Sequence, residues 1–313
     1  FEQVRGHKIA AGVIPYTINA PFWSDGAHKE RFFALPPAAH ITIDDKPETA
    51  WQFDDGAVTV KSFSLDMEEG NPASRKYIET RVVVKQENHW VGYSYLWNED
   101  QSDATLVAAG GLDKPYKIRE KSGAIRAQRW HYPSRNECMF CHSRAAGFVL
   151  GLTTGQMNRT HNFGAVQDNQ LRAYSHIGLF KEPLKKQPAD LPAYPDPFDP
   201  KVDINHRVKT YLQVNCAMCH VTDGGGNSQM ELGFRTPIEK ARLVAEARGT
   251  MDSAASPQCE LNASLSPTSA SRSMSHSASP TARSPKRTAS SSRLIATAAP
   301  ATASRPPWPG HST

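Results

Sequence analysis

The stretch Ala57-Val58-Thr59-Val60-Lys61-Ser62-Phe63-Ser64-Leu65 alternates apolar and β-branched residues with polar ones, the period-two signature of a half-buried strand. Two similar runs follow at residues 77–85 and 90–97. Turn-forming residues punctuate them: Asp54-Asp55-Gly56, Glu69-Gly70-Asn71-Pro72 and Glu87-Asn88-His89. Three apolar residues run together in Arg81-Val82-Val83-Val84, which predicts a strand buried on both faces. Trp51, Phe53, Phe63, Trp90, Tyr93, Tyr95 and Trp97 are expected to fill the core. Residues 1–120 therefore predict an antiparallel β-sandwich-like domain.

Downstream the pattern changes. Residues 145–157 are apolar with glycine interruptions and predict short helices. Residues 182–202 are rich in proline, aspartate and lysine and read as a linker. Residues 203–220 predict a helix on the spacing of Val208, Tyr211, Leu212 and Asn215. Gly224-Gly225-Gly226 then predicts a flexible loop, and residues 237–248 a further helix.

From residue 250 the sequence is dominated by Ser, Ala, Pro and Arg, with Trp308 its single aromatic. Such a composition cannot bury enough apolar surface to fold. It fits a disordered basic tail or, as the favoured reading, out-of-frame translation of a GC-rich gene. Six basic and two acidic residues lie in this tail, so most of the formal charge of +5 belongs there. The remainder is close to neutral and argues against a nucleic-acid partner. No stretch approaches the roughly 18–20 apolar residues of a membrane span. The chain opens at Phe1 without an initiator methionine and is expected to be a fragment of something longer.

Four of the five cysteines fall in two motifs of identical spacing, Cys138-Met139-Phe140-Cys141-His142 and Cys216-Ala217-Met218-Cys219-His220; Cys259 is left over. Two thiols three positions apart can reach the two vinyl groups on one side of a haem, and the adjacent histidine can then supply an axial nitrogen to the iron. A redox dithiol or a zinc site is the alternative. Neither needs a histidine at the same offset in both copies. The reading is thus two covalently attached haem c groups, held by Cys138, Cys141, His142, Cys216, Cys219 and His220.

The fold expected is α+β. The N-terminal β-sandwich-like domain (1–120) leads into mainly α-helical c-type haem regions at 121–181 and 203–249, separated by the linker and followed by the disordered tail at 250–313. Met157 and Met230 are the candidate distal iron ligands, with His131, His161 and His206 as rivals. Trp130, Tyr132, Arg135 and Arg235 could wall the pockets or pair with haem propionates. The clusters Trp23-Ser24-Asp25-Gly26 and Asn98-Glu99-Asp100-Gln101-Ser102-Asp103 could offer oxygen to calcium, but read better as turns capped by their own side chains.

These residues resemble a family of secreted di-haem c-type cytochromes, and the cytochrome portion of bacterial proteins fused to a glucose/sorbosone dehydrogenase propeller. The likeness rests on Gly12-Val13-Ile14-Pro15-Tyr16, Asn19-Ala20-Pro21-Phe22-Trp23-Ser24-Asp25-Gly26-Ala27 and Trp97-Asn98-Glu99-Asp100-Gln101-Ser102-Asp103-Ala104. It continues through Tyr132-Pro133-Ser134-Arg135, Asn169-Gln170-Leu171, Tyr211-Leu212 with Val214-Asn215, and both motifs. It covers about residues 1–248. The resemblance implies an exported, periplasmic or envelope electron-transfer module. Its redox partners would be a dehydrogenase donor and a cytochrome or oxidase acceptor, and membrane association would come through a missing part of the chain. Two other functions remain open on the residues: a di-haem peroxidase-like enzyme with an open iron position, and a carbohydrate- or protein-binding β domain with accessory haems.

Overall fold

A computed structural model describes residues 9–243; the tail, with Cys259, lies outside them. The scaffold is an antiparallel sheet of six strands: β1 (Ile14–Pro15), β2 (His28–Ala34), β5 (Val58–Asp66), β6 (Arg75–Gln86), β7 (His89–Trp97) and β8 (Ala104–Leu106), hydrogen-bonded in that order. A small ladder of β3 (Ile41–Thr42) and β4 (Gln52–Phe53) lies between β2 and β5 in the chain. The hairpin of β9 (Leu112–Arg119) and β10 (Ile125–Tyr132) follows the sheet, and β11 (Thr160–Asn162) pairs with β12 (Gln167–Asn169). The three runs read as strands from their alternation coincide with β5, β6 and β7.

The expected mainly helical haem regions are not what the chain forms. Strand outweighs helix, 31% to 17%. Among the described residues the helices are four: α1 (Arg135–Cys141), α2 (Thr154–Met157), α3 (Gln170–His176) and α4 (Ile204–Asn215). Only α4 exceeds two turns, and helices this short are not stable without tertiary support. Glycines at 147 and 151, both with positive φ, break the apolar run at 145–157, so only its last four residues are helical. Nor do the described residues form a second full sheet to make a sandwich. The β9–β10 hairpin covers one end of the six-stranded sheet, while loops and short helices cover the other.

Cross-strand partners in an antiparallel sheet project from the same face, and residues two apart share it. The register Phe33–Thr59–Val83–Gly92 therefore lies beside Arg31–Lys61–Arg81–Ser94 on one inner face. At one end of this face Phe33, Val83 and Trp90 join Trp51, Phe53, Leu152, Met157, Leu171 and Tyr174 in the main core. Its rings meet edge to face: Phe33 and Tyr174 at 5.6 Å, Phe53 and Trp90 at 6.1 Å. Each fully buried large side chain there contributes about 1.5–3 kcal/mol. At the other end Phe63, Leu65 and Ile78 pack against Ile118, Trp130 and Tyr132 of the hairpin. A bulge between Phe63 and Ser64 accompanies the burial of both Ile78 and Glu79. Val82 and Val83 are both buried, as the apolar run predicted.

The main core unites distant parts of the chain. The Asn19 side chain donates to the Gly155 carbonyl (2.9 Å), the Thr17 amide to Gln170 Oε1 (2.8 Å) and the Ala20 amide to Gln156 Oε1 (2.8 Å). Buried Asn158 donates to the carbonyls of Pro188 (2.8 Å) and Leu191 (2.9 Å). The proline-rich stretch is irregular apart from one turn of 3-10 helix, yet these bonds and the buried Leu191 and Tyr194 fasten it to the core.

Candidate functional site

Helix α1 carries the first motif and is set by its neighbours on both sides. Strand β10 ends at fully buried Tyr132, whose hydroxyl donates to the Ile78 carbonyl (2.9 Å). Pro133 then turns the chain, and Ser134 caps the helix in a reciprocal box with Glu137. The Ser134 hydroxyl accepts from the Glu137 amide at 3.2 Å and the Glu137 carboxylate from the Ser134 amide at 2.7 Å. The helix lies against β7 at Gly92. A Cβ on Gly92 would stand 2.7 Å from the Cys138 Cβ and 2.8 Å from its Sγ. No side chain larger than hydrogen fits there, and that is what lets the motif reach the sheet.

His142 closes the helix with its backbone and directs its ring. Nδ1 lies 2.6 Å from the Phe148 carbonyl, so Nδ1 carries the proton and Nε2 keeps its lone pair. Burial, with the charge of Lys61, pulls its pKa down to about 4, so the ring is neutral at ordinary pH. A backbone carbonyl that fixes the tautomer of a histidine is the usual outer partner of a metal-ligating imidazole.

The second motif begins at the C-cap of α4. Asp203 opens that helix by accepting from the Asn205 amide (3.0 Å), and Cys216 ends it. The helix therefore stops at the motif, whereas the sequence predicted that it would run through to residue 220. The apolar stripe is also turned differently: Thr210 is buried, while Val208 and Tyr211 are 40% and 42% exposed. The glycine run is a close-packed turn around the motif. The Gly226 amide donates to the Cys219 carbonyl (2.9 Å), and a Cβ on Gly226 would meet His220 Nδ1 at 2.7 Å. The Ser228 hydroxyl lies 3.2 Å from the same nitrogen. Of the helix expected at 237–248, the described residues show a 3-10 turn at Ile238–Lys240; residues from 244 lie outside those described.

The two motifs, 78 positions apart in the chain, meet. The Cys141 thiol makes a hydrogen-bonded contact with that of Cys219. This contact, with the charges of Arg81 and Lys61, pulls the Cys141 thiol below its ordinary range against the effect of burial. Burial pushes Cys138 the other way, only partly offset by Arg81.

Beneath the motifs lies a buried cluster of charge that the sequence reading missed. Glu79 is fully buried and accepts four bonds: Arg81 Nε at 2.7 Å and Nη2 at 2.9 Å, Ser94 Oγ at 2.6 Å and Trp130 Nε1 at 2.9 Å. Beside it, Lys61 makes no hydrogen bond or ion pair among the described residues. Burial, with Arg31, Lys29 and Arg81 around it, pulls Lys61 down to about 7. The signal that could have found this cluster is the placement of Lys29, Arg31, Lys61 and Arg81 at alternate positions within strands. Such positions read as solvent-facing until strand order and register are known.

The other candidates are dispersed. Met157 is fully buried in the main core, whereas Met230 packs against the small cluster of Ala217, Leu232 and Ala241 beside its own motif. Both ring nitrogens of His131 are engaged, with Asp113 (3.0 Å) and Glu137 (3.2 Å). His161 contacts Thr17 Oγ1 at 3.1 Å, and His206 is exposed. Trp130 and Tyr132 anchor the hairpin, Arg135 lies over the Tyr93 ring at 5.2 Å, and Arg235 pairs with Glu48. Trp51, Phe53, Phe63, Trp90 and Trp97 are buried, while Tyr93 and Tyr95 are half-buried. The Asn98–Asp103 oxygens are used by their own turn: Asn98 Oδ1 and Asp100 Oδ1 each accept from the Ser102 amide at 3.0 Å. Among the described residues no three His, Cys, Asp or Glu side chains are grouped to hold a metal ion, and no helix is long and apolar enough to cross a membrane. Haem needs no such group, because the porphyrin itself supplies four nitrogens.

Comparison with protein-family models, with curated proteins and with solved structures gives no match for this chain.

Proposed function

We propose that the protein is a di-haem c-type cytochrome that transfers electrons. Cys138, Cys141 and His142 would hold one haem, and Cys216, Cys219 and His220 the other. Bound haem supplies the one-electron ferric–ferrous couple. The observation that carries the reading is the pairing of neutral, Phe148-held His142, its Nε2 free to ligate, with two thiols on the same turn of helix. Gly92 gives this turn its seat on the sheet. The contact of Cys141 with Cys219 supports a short path between the two sites. The exposed side of α4, with Val208 and Tyr211, offers apolar surface next to the second motif. The setting proposed is the periplasm or cell envelope, where covalent haem attachment takes place. There the donor would be a dehydrogenase, such as a quinoprotein acting on sugars or alcohols, and the acceptor a further cytochrome or an oxidase. Met230 is the better placed distal ligand, since it already packs beside its motif.

The test is export of the full chain in a host with haem-attachment machinery, followed by a pyridine haemochrome assay and intact mass. Two covalent haems per chain are expected, falling to one when the Cys138/Cys141 pair or the Cys216/Cys219 pair is replaced by serine. A haem-free product would overturn the proposal and leave the Cys141–Cys219 contact to be read as a redox dithiol.

A further inference from the structure

Cross-strand register places Arg31, Lys61 and Arg81 directly opposite one another on β2, β5 and β6. Lys29, one pair along, shares their face. Like charges opposite one another destabilise a sheet, and burying them compounds the cost. Arg81 and Lys61 keep some opening to solvent, 34% of the Arg81 side chain, but protein surrounds both.

Internal counter-charge covers only part of this row. Glu79 is taken up by the two-point pairing with Arg81. Asp25 faces Lys29, whose ammonium otherwise donates to the Phe22 carbonyl at 2.5 Å. Among the described residues the Arg31 side chain donates only to the Lys29 carbonyl, at 3.3 Å. Lys61 has cations on its flanks and the Cys141 thiol before it. Among the described residues four half-buried cations thus face two carboxylates, and the two least compensated, Arg31 and Lys61, are adjacent on the face where α1 meets Gly92. A ligand bearing two carboxylates would satisfy them.

Resting on the haem reading above, we propose that Arg31 and Lys61 form a carboxylate-binding site for the propionates of the haem attached at Cys138 and Cys141. The chain would then fix that haem at both edges, thioethers on one side and ion pairs to the sheet on the other. The same positive charge would favour the ferrous state, which carries one positive charge less at the iron. Arg31 and Lys61 are positioning residues in this account and touch no reacting atom.

The experiment is spectroelectrochemical titration of the haem-loaded full chain as wild type, Lys61→Gln, Arg31→Gln and Lys61→Arg. Surface Lys114→Gln serves as control, since Lys114 pairs with exposed Glu99 on the far hairpin. Haem stoichiometry is read first and separately; a haem-free wild type would count against the function and not against this site. With two haems attached, each Gln variant is expected to lower the potential of one haem and leave the other in place. The expected change is at least tenfold in its ferric/ferrous constant, or about 59 mV for one electron. Lys61→Arg should restore it and Lys114→Gln should do nothing. Loss of packing alone would move both haems or neither, and would not be repaired by charge. Unshifted potentials in both Gln variants overturn the proposal. So does a saturable shift of the wild-type potential by added acetate or inorganic phosphate that Lys61→Gln abolishes, because the site would then serve a free anion.

Discussion

Replacing Glu79 by alanine removes a carboxylate that is fully enclosed by the sheet and the hairpin. Three partners lose their acceptor at once: the Arg81 guanidinium, the Ser94 hydroxyl and the Trp130 indole. Breaking a buried ion pair from one side costs about 3–5 kcal/mol, because the remaining charge stays behind uncompensated. Since a third of the Arg81 side chain can reach water, the lower end applies to that part, about 3 kcal/mol. Trp130 is buried, and its orphaned N–H adds about 1–3 kcal/mol. The expected loss is therefore about 4–6 kcal/mol, read as the shift in urea midpoint at constant m-value. In a domain of this size that corresponds to a drop in Tm of roughly 2–4 °C per kcal/mol. The double variant Glu79→Ala/Arg81→Met should recover at least half of the loss, because it takes away the stranded charge and leaves an apolar stem over Phe63. A loss below about 1 kcal/mol in Glu79→Ala, or no recovery in the double variant, would refute the account of Glu79 as the electrostatic anchor of the inner face.

Gly92→Val should destabilise the fold by about 1–3 kcal/mol and lower haem loading at the first motif alone, measured by denaturant midpoint and by mass of the motif-containing peptide. Ser134→Ala removes the cap of α1 and should cost about 1 kcal/mol in the same denaturant assay, with Ser134→Asp close to wild type. Asp66 is held below the usual carboxylate range by Arg75 and then His28. Its contribution is therefore present above the unfolded pKa near 4 and is lost as pH falls through the lower folded value. The pair is partly exposed, so Asp66→Asn should cost only about 0.5–1 kcal/mol at pH 7 and nothing near pH 2, a difference that urea titrations at the two pH values would show.

How much of this was legible in the sequence depends on the range of the interaction. β5, β6 and β7 were legible because alternation and turn residues are local properties. Residues 57–65 announce a strand whatever surrounds them. The two cysteine motifs were legible for the same reason, as the chemistry is written into five consecutive positions. The mainly helical character expected after residue 120 was not formed among the described residues, where glycines at 147 and 151 and the prolines of residues 182–202 interrupt the chain. Tertiary packing then decided which short turns became helical. Even in α4 the spacing of Val208, Tyr211 and Asn215 marked a helix correctly but not the side it buries. The cationic row was beyond reach, since Lys29, Arg31, Lys61 and Arg81 become neighbours only through the pairing of three strands.

The hydrogen bonds that tie Thr17, Asn19 and Ala20 to residues 155–170, and Asn158 to Leu191, also set the order in which the molecule can be made. A ribosome delivers the chain from its amino terminus, so Phe33 and Phe53 emerge well over a hundred residues before Leu171 and Tyr174 arrive to cover them. Until then the apolar side of the young sheet has no lid, and contacts of such long sequence separation close slowly. The nascent protein must spend that interval unfinished, its apolar face uncovered until the closing segment has been made.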